Sequence, residues 1–95
     1  MRLVEAESSS SLMLDEDAEL TLHCVGDVQS QPAWYYNDQR LNAGPQTSIA
    51  VRVDRANNSK QSVLTRTEST VDGQYQCQDA SGYQADSDSL LVFYV

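Results

Sequence analysis

The chain has 95 residues, near the lower end of what one hydrophobic core stabilises unaided, and reads as a single domain over 1–95. Fourteen acidic against six basic residues leave a net charge of −8, which argues against nucleic acid or an anionic membrane as partner, since both need a Lys/Arg-rich surface. No stretch approaches the ~20 apolar residues of a membrane span, and Met1 to Glu5 lacks the apolar run of a signal peptide.

Short runs with period-two alternation recur along the chain, separated by Gly, Asn, Asp, Ser and Pro clusters, and no window carries capped helical periodicity. Residues 1–10, ending in the serine run that starts at Ser8, read as an irregular lead-in or a first edge strand. Leu12-Met13-Leu14 is a short strand closed by the acidic turn Asp15-Glu16-Asp17. Leu20, Leu22 and Cys24 alternate with Thr21 and His23, a half-buried strand with Cys24 on its core face. A loop through Gly26, Gln29 and Pro32 leads to the strand Ala33-Trp34-Tyr35-Tyr36. Turns follow at Asn37-Asp38-Gln39-Arg40 and Asn42-Ala43-Gly44-Pro45. Ile49, Val51 and Val53 mark the next strand, Asn57 to Lys60 its loop, and Ser62 to Thr65 a strand with Leu64 as its core residue. Gly73 to Gln78 is a strand, Asp79 to Asp86 a hairpin loop, and Ser87 to Val95 a last strand that reads as running to the boundary of a domain within a longer protein. Seven to nine strands result, with no internal repeat.

Cys24, Trp34 ten residues later, and Tyr75-Gln76-Cys77 each fall on a predicted strand. With the Leu20-x-Leu22-x-Cys24 pattern and Gly73 two residues ahead of the Tyr, this constellation resembles the immunoglobulin superfamily over most of the chain. The resemblance implies an all-β, two-sheet antiparallel sandwich in which a Cys24–Cys77 disulfide joins the sheets, Trp34 packs on the bridge and the Tyr75 hydroxyl pins a corner. Closing a loop of roughly fifty residues is worth about 4 kcal/mol by chain entropy. The oxidised pair implies a secretory or extracellular compartment; two buried reduced thiols, as in some intracellular muscle domains of this fold, are the alternative. The family usually places an Asp four residues before this Tyr, where Val71 stands here and the acid is shifted to Asp72, so the family's Asp-to-Arg contact near the sheet end is open to question. The short spacing between the cysteines suits an intermediate or constant-like set rather than a variable one. Glu19-Leu20-Thr21-Leu22-His23-Cys24-Val25-Gly26 and the ending Leu91-x-Phe93-Tyr94-Val95 are similar to membrane-distal domains of growth-factor receptor kinases, while Tyr75-Gln76-Cys77-Gln78 with Ser87-Asp88 is similar to Fc-receptor-like domains.

The residue inventory points away from an enzyme. His23 is the single histidine and is expected on the solvent side of its strand, and both cysteines are assigned to the bridge, leaving no thiolate. No glycine-rich phosphate loop, His/Cys metal spacing or Gly-x-Ser-x-Gly occurs, and no cofactor or metal is implied. Asp15, Glu16, Asp17 and Glu19 could offer oxygen ligands to Ca²⁺, but a solvated turn explains them more simply.

Strand parity supplies a functional expectation. With Tyr75 and Cys77 inward, Gln74, Gln76 and Gln78 point outward, and with Trp34 inward Tyr35 points outward. On the last strand Leu91, Phe93 and Val95 are assigned to the core, which exposes Leu90, Val92 and Tyr94; a one-residue register change would exchange these two sets. The expected contact face thus combines Tyr35, the three glutamines, Leu90, Val92 and Tyr94. Asn57-Asn58-Ser59 is an N-glycosylation sequon at Asn57. Arg52, Arg55, Lys60 and Arg66 are expected at one end of the domain, opposite Asp79, Asp86 and Asp88. These readings together describe an extracellular recognition module of a cell-surface receptor or adhesion molecule, with a protein ligand, a homophilic partner or adjacent domains as contacts. The alternative is a structural spacer in a multi-domain ectodomain.

Overall fold

The computed structural model describes residues 1–15, 17–67, 71–82 and 87–95. Nine strands occur among them: β1 (Arg2–Leu3), β2 (Ser11–Leu14), β3 (Leu20–Asp27), β4 (Pro32–Tyr36), β5 (Gln39–Arg40), β6 (Thr47–Asp54), β7 (Ser59–Arg66), β8 (Gly73–Asp79) and β9 (Ser87–Tyr94). They form a back sheet in the order β1-β3-β7-β6 and a front sheet in the order β2-β9-β8-β4-β5. All pairings are antiparallel except β2 with β9, so the N-terminal segment contributes one strand to each sheet. A single 3-10 turn over Val4–Ala6 lies between those two strands, and no helix among the described residues is long and apolar enough to cross a membrane.

Period-two burial builds the core from both sheets. Leu20, Leu22 and Cys24 of β3 and Ser62, Leu64 and Arg66 of β7 are buried from the back, and Trp34 of β4, Tyr75 and Cys77 of β8, and Leu90 and Val92 of β9 from the front. Cys24 and Cys77 form the inter-sheet disulfide, with their Cα atoms 6.4 Å apart. Trp34 stands in register with Cys77, and its indole N–H crosses to the back sheet to donate to Ser62 Oγ at 2.9 Å. That bond satisfies the one polar atom of the indole and a buried hydroxyl together.

Two backbone positions explain local chain direction. Asn37 and Asp38 both have positive φ (49° and 68°), the geometry of a tight two-residue hairpin turn between β4 and β5. Gly73 opens β8 at φ 146°, where an added Cβ would stand 2.7 Å from Tyr36 Cε1, so only glycine fits beside that ring.

The acid displaced to Asp72 leaves a different arrangement at the sheet end. Val71 is fully buried, its carbonyl accepts the Tyr75 hydroxyl proton at 2.6 Å, and its N–H donates to Tyr94 Oη at 3.1 Å. Arg66 Nη1 donates to Tyr75 Oη at 2.8 Å while its guanidinium lies 4.7 Å from the Tyr36 ring centroid. The Tyr36 hydroxyl in turn donates to the Asp72 carbonyl at 2.5 Å. A tyrosine pair therefore cradles the arginine.

Several expectations are corrected by the packing. Leu90 and Val92 are each 1% exposed, whereas Leu91 is 50% and Phe93 37% exposed and Val95 is more open still. The cause is the β8–β9 register, which sets Tyr75 opposite Leu90 and Gly73 opposite Val92, so the even-numbered residues of β9 share the inner face. Tyr94 is half-buried and engaged with Val71. Val51 and Val53 pair with Ser62 and Lys60 of β7 on the side of β6 that carries Thr47 and Ile49, yet they are 54% and 48% exposed. His23 is only partly exposed: Glu5 accepts its backbone N–H and lies 2.7 Å from its ring Nδ1. The basic and acidic ends are not separated either. Arg66 is buried among tyrosines, and Lys60 Nζ donates to the Ser30 carbonyl at the same end as Asp27 and Asp79. Asp88 faces the interior, where its carboxylate accepts the Leu3 N–H at 2.9 Å. Asp86, with 83–85, lies outside the described residues, as does Glu16.

Candidate protein-binding face

The outer face of the front sheet follows from what its inner face buries. Tyr75 and Cys77 point into the core, so Gln74, Gln76 and Gln78 project from the opposite side of β8. The register then fixes their neighbours. On β9, Gln74 pairs with Leu91, Gln76 with Ser89 and Gln78 with Ser87. Beyond β9, Leu91 pairs with Ser11 and Phe93 with Met13 of β2. On the other side Gln76 pairs with Tyr35 and Gln78 with Ala33 of β4, and Tyr35 pairs with Arg40 of β5.

One flank of this face is apolar, with Met13 62%, Leu91 50% and Phe93 37% exposed. Its centre is the amide stripe, in which Gln74 is exposed and Gln76 and Gln78 are half-buried. Gln76 Nε2 donates to Ser87 Oγ at 3.2 Å, which holds the amide across the strand. The far flank is Tyr35, with the Arg40 guanidinium 6.0 Å from its ring centroid. Arg40 is the one charged residue among these described positions, in a chain that carries fourteen acids.

The structure thus brings together Tyr35, Gln74, Gln76 and Gln78 of the expected face and removes Leu90, Val92 and Tyr94 to its inner side. Met13, Leu91, Phe93 and Arg40 take their places. Strand parity itself held the missing signal, but choosing between the two faces of β9 requires its pairing with β8. Asn57 lies elsewhere, in the exposed turn between β6 and β7, where its side-chain amide donates to Asp54 Oδ2 at 2.7 Å.

Groups with chemical potential are engaged in structural bonds. No cysteine among the described residues is free, the single histidine pairs with Glu5, and no group of three or more His, Cys, Asp or Glu residues could hold a metal ion among the described residues. At the acidic turn, the Ala18 N–H donates to the Asp15 carbonyl at 3.0 Å and Asp17 takes positive φ.

No protein-family model and no curated protein sequence matches the chain. Solved structures do resemble it. A chain of the Dpr2 Ig1-Ig2 complex with DIP-Theta Ig1-Ig3 superposes with a TM-score of 0.73 at 15% identity, covering 90% of this chain and 30% of that one. The N-terminal eight Ig domains of Down Syndrome Cell Adhesion Molecule isoform 1.30.30 give 0.75 at 17% identity, covering 90% and 13%. The twitchin kinase region from C. elegans (Fn31-NL-kin-CRD-Ig26) gives 0.63 at 13% identity, covering 90% and 15%. This chain therefore spans less than a third of each of these longer chains. The likeness concerns fold alone, and it agrees with the sheet order, the inter-sheet cystine and the tyrosine pinned at the β8 corner: the chain has the immunoglobulin fold.

Proposed function

We propose that this domain is a non-enzymatic, extracellular recognition module that binds a protein non-covalently through the outer face of its front sheet. The observation that carries the reading is the exposed Met13–Leu91–Phe93 strip, continuous with the glutamine stripe and the Tyr35–Arg40 flank. Interface centres favour aromatic residues, Met and Arg and are depleted in Asp, Glu and Lys, which is the composition of this face. The disulfide fits an oxidising compartment. Two of the structural neighbours, a Dpr2–DIP-Theta complex and an adhesion molecule, lend support in kind. A glycan on Asn57 would sit on the β6–β7 turn and leave the front face open.

The test is binding of the immobilised domain to a panel of purified cell-surface ectodomains, itself included, by surface plasmon resonance. Phe93→Lys and Tyr35→Glu should each weaken the detected interaction about tenfold or more with an unchanged melting temperature, and Val53→Lys on β6 should not. Full binding by both front-face variants would overturn the reading. Binding only when adjacent domains are present in tandem would favour the spacer role instead.

A further inference from the structure

We infer that Asn57 accepts an N-linked glycan, and that this glycan shields the unpaired edge of strand β6. The inference rests on the extracellular reading above and adds to it a modification site on the back sheet.

Asn57-Asn58-Ser59 is the one Asn-x-Ser/Thr triplet in the chain. The fold presents it at the surface: residues 55–58 form the exposed turn between β6 and β7, and Ser59 opens β7. The two asparagines of that turn are held toward opposite sides of β7. Asn58, at φ 52°, donates its amide to Asp27 Oδ2 of β3 at 2.8 Å, and its carbonyl accepts the Val28 N–H at 3.3 Å. That residue ties the turn to the body of the sheet. Asn57 instead donates from Nδ2 to Asp54 Oδ2 at 2.7 Å, and its backbone N–H donates to Asp54 Oδ1 at 3.3 Å. Asp54 is the last residue of β6, so the acceptor nitrogen sits at the end of the edge strand.

The amide has room for the chemistry, because a primary amide carries two N–H groups. Transfer from a lipid-diphosphate-linked oligosaccharide forms a bond between Nδ2 and the anomeric carbon of the first sugar. The bond from that carbon to the diphosphate oxygen breaks, the lipid diphosphate leaves with the electron pair, and Nδ2 gives up one proton. One N–H remains, which is all that the Asp54 carboxylate needs. The modified side chain therefore keeps its contact with the fold.

The strand beside the turn is the long open edge of this domain. Among the described residues, the four sheet edges are β1, β2, β5 and β6, with 2, 4, 2 and 8 residues. β6 pairs with β7 along one side, and six of its eight residues are exposed. Val51 and Val53 are among those six, and from Thr47 to Val51 the strand has neither charge nor proline. Long exposed edges with β-branched residues template pairing with other chains, and folds blunt them with charges, bulges or a cover. A bulky, solubilising glycan rooted at Asp54's end of β6 supplies such a cover.

The experiment is secretion of the 95-residue chain from cultured eukaryotic cells behind a cleavable leader, read by intact mass and non-reducing electrophoresis. The chain should emerge disulfide-bonded with one N-glycan, which peptide N-glycosidase removes while converting Asn57 to aspartate. Asn57→Gln and Ser59→Ala should each emerge bare, and the second retains both Asp54 contacts. On heating at equal concentration, the Ser59→Ala chain should aggregate about threefold faster or more than the glycosylated chain. Adding Val51→Lys to that bare chain should restore resistance, and adding Phe93→Lys on the front sheet should not. A secreted, disulfide-bonded chain that is bare overturns the inference and leaves the recognition reading standing. A chain retained in the cell with reduced thiols defeats both. Equal aggregation of the glycosylated and bare chains, or rescue by Phe93→Lys in place of Val51→Lys, overturns the shielding of β6.

Discussion

At the scale of single residues, the tyrosine corner shows how one displaced acid is accommodated. The family pattern would place a carboxylate where Val71 stands, and here that side chain is buried and only its backbone takes part. The buried Arg66 is instead held by the Tyr75 hydroxyl and the Tyr36 ring. Tyr75→Phe keeps the ring in the core but removes the donor to Val71 and the acceptor for Arg66. It should cost about 2–3 kcal/mol in urea unfolding, since one of the lost bonds involves a buried charge. A loss below about 0.5 kcal/mol would mean that the corner bonds are not stabilising. The Tyr75 position was legible from its spacing to Cys77. Its partners were not, because Tyr36 and Arg66 reach it through sheet pairing and packing rather than through neighbouring sequence.

At the scale of elements, clean alternation predicts well and apolar runs do not. β3 alternates Leu, Thr, Leu, His, Cys, and its buried set is the one that pattern assigns. β9 offers Leu90, Leu91, Val92 and Phe93 in succession, so its composition supports either face. Pairing with β8 makes the choice, and the face of the candidate site changes with it. Lysine substitutions separate the two assignments. Val92→Lys should lower stability by more than about 3 kcal/mol through an unpaired buried charge, while Leu91→Lys should stay within about 0.5 kcal/mol, both read by chemical denaturation. The reverse order would restore the sequence-based assignment. β6 shows a second limit: Val51 and Val53 alternate correctly, yet alternation says which side faces inward and not whether anything lies across from it. The N-terminal strand is a third case, tied down by Asp88 on Leu3 and Glu5 on His23, contacts that span 85 and 18 residues.

At the scale of the whole molecule, the Cys24–Cys77 bridge closes a loop with a sequence separation of 53. Replacing both cysteines with alanine should reduce unfolding free energy by about 4 kcal/mol, a large share of the stability of a domain this small. Urea unfolding of that variant beside the oxidised parent measures it, and equal stability would contradict the staple role. The sequence alone determined the all-β class and placed Cys24, Trp34, Tyr75 and Cys77 on strands at separations that resemble the fold family; the resemblance implied the bridge, and the structure forms it. It also determined which residues of β8 face outward, because that strand's inner residues were already known. Only the tertiary structure decided the outward face of β9, the burial of Arg66, the exposure of Val51 and Val53, and the scarcity of charge among the described front-face positions. Each of those depends on which residues from distant parts of the chain end up opposite one another, and local periodicity carries no information about register between strands.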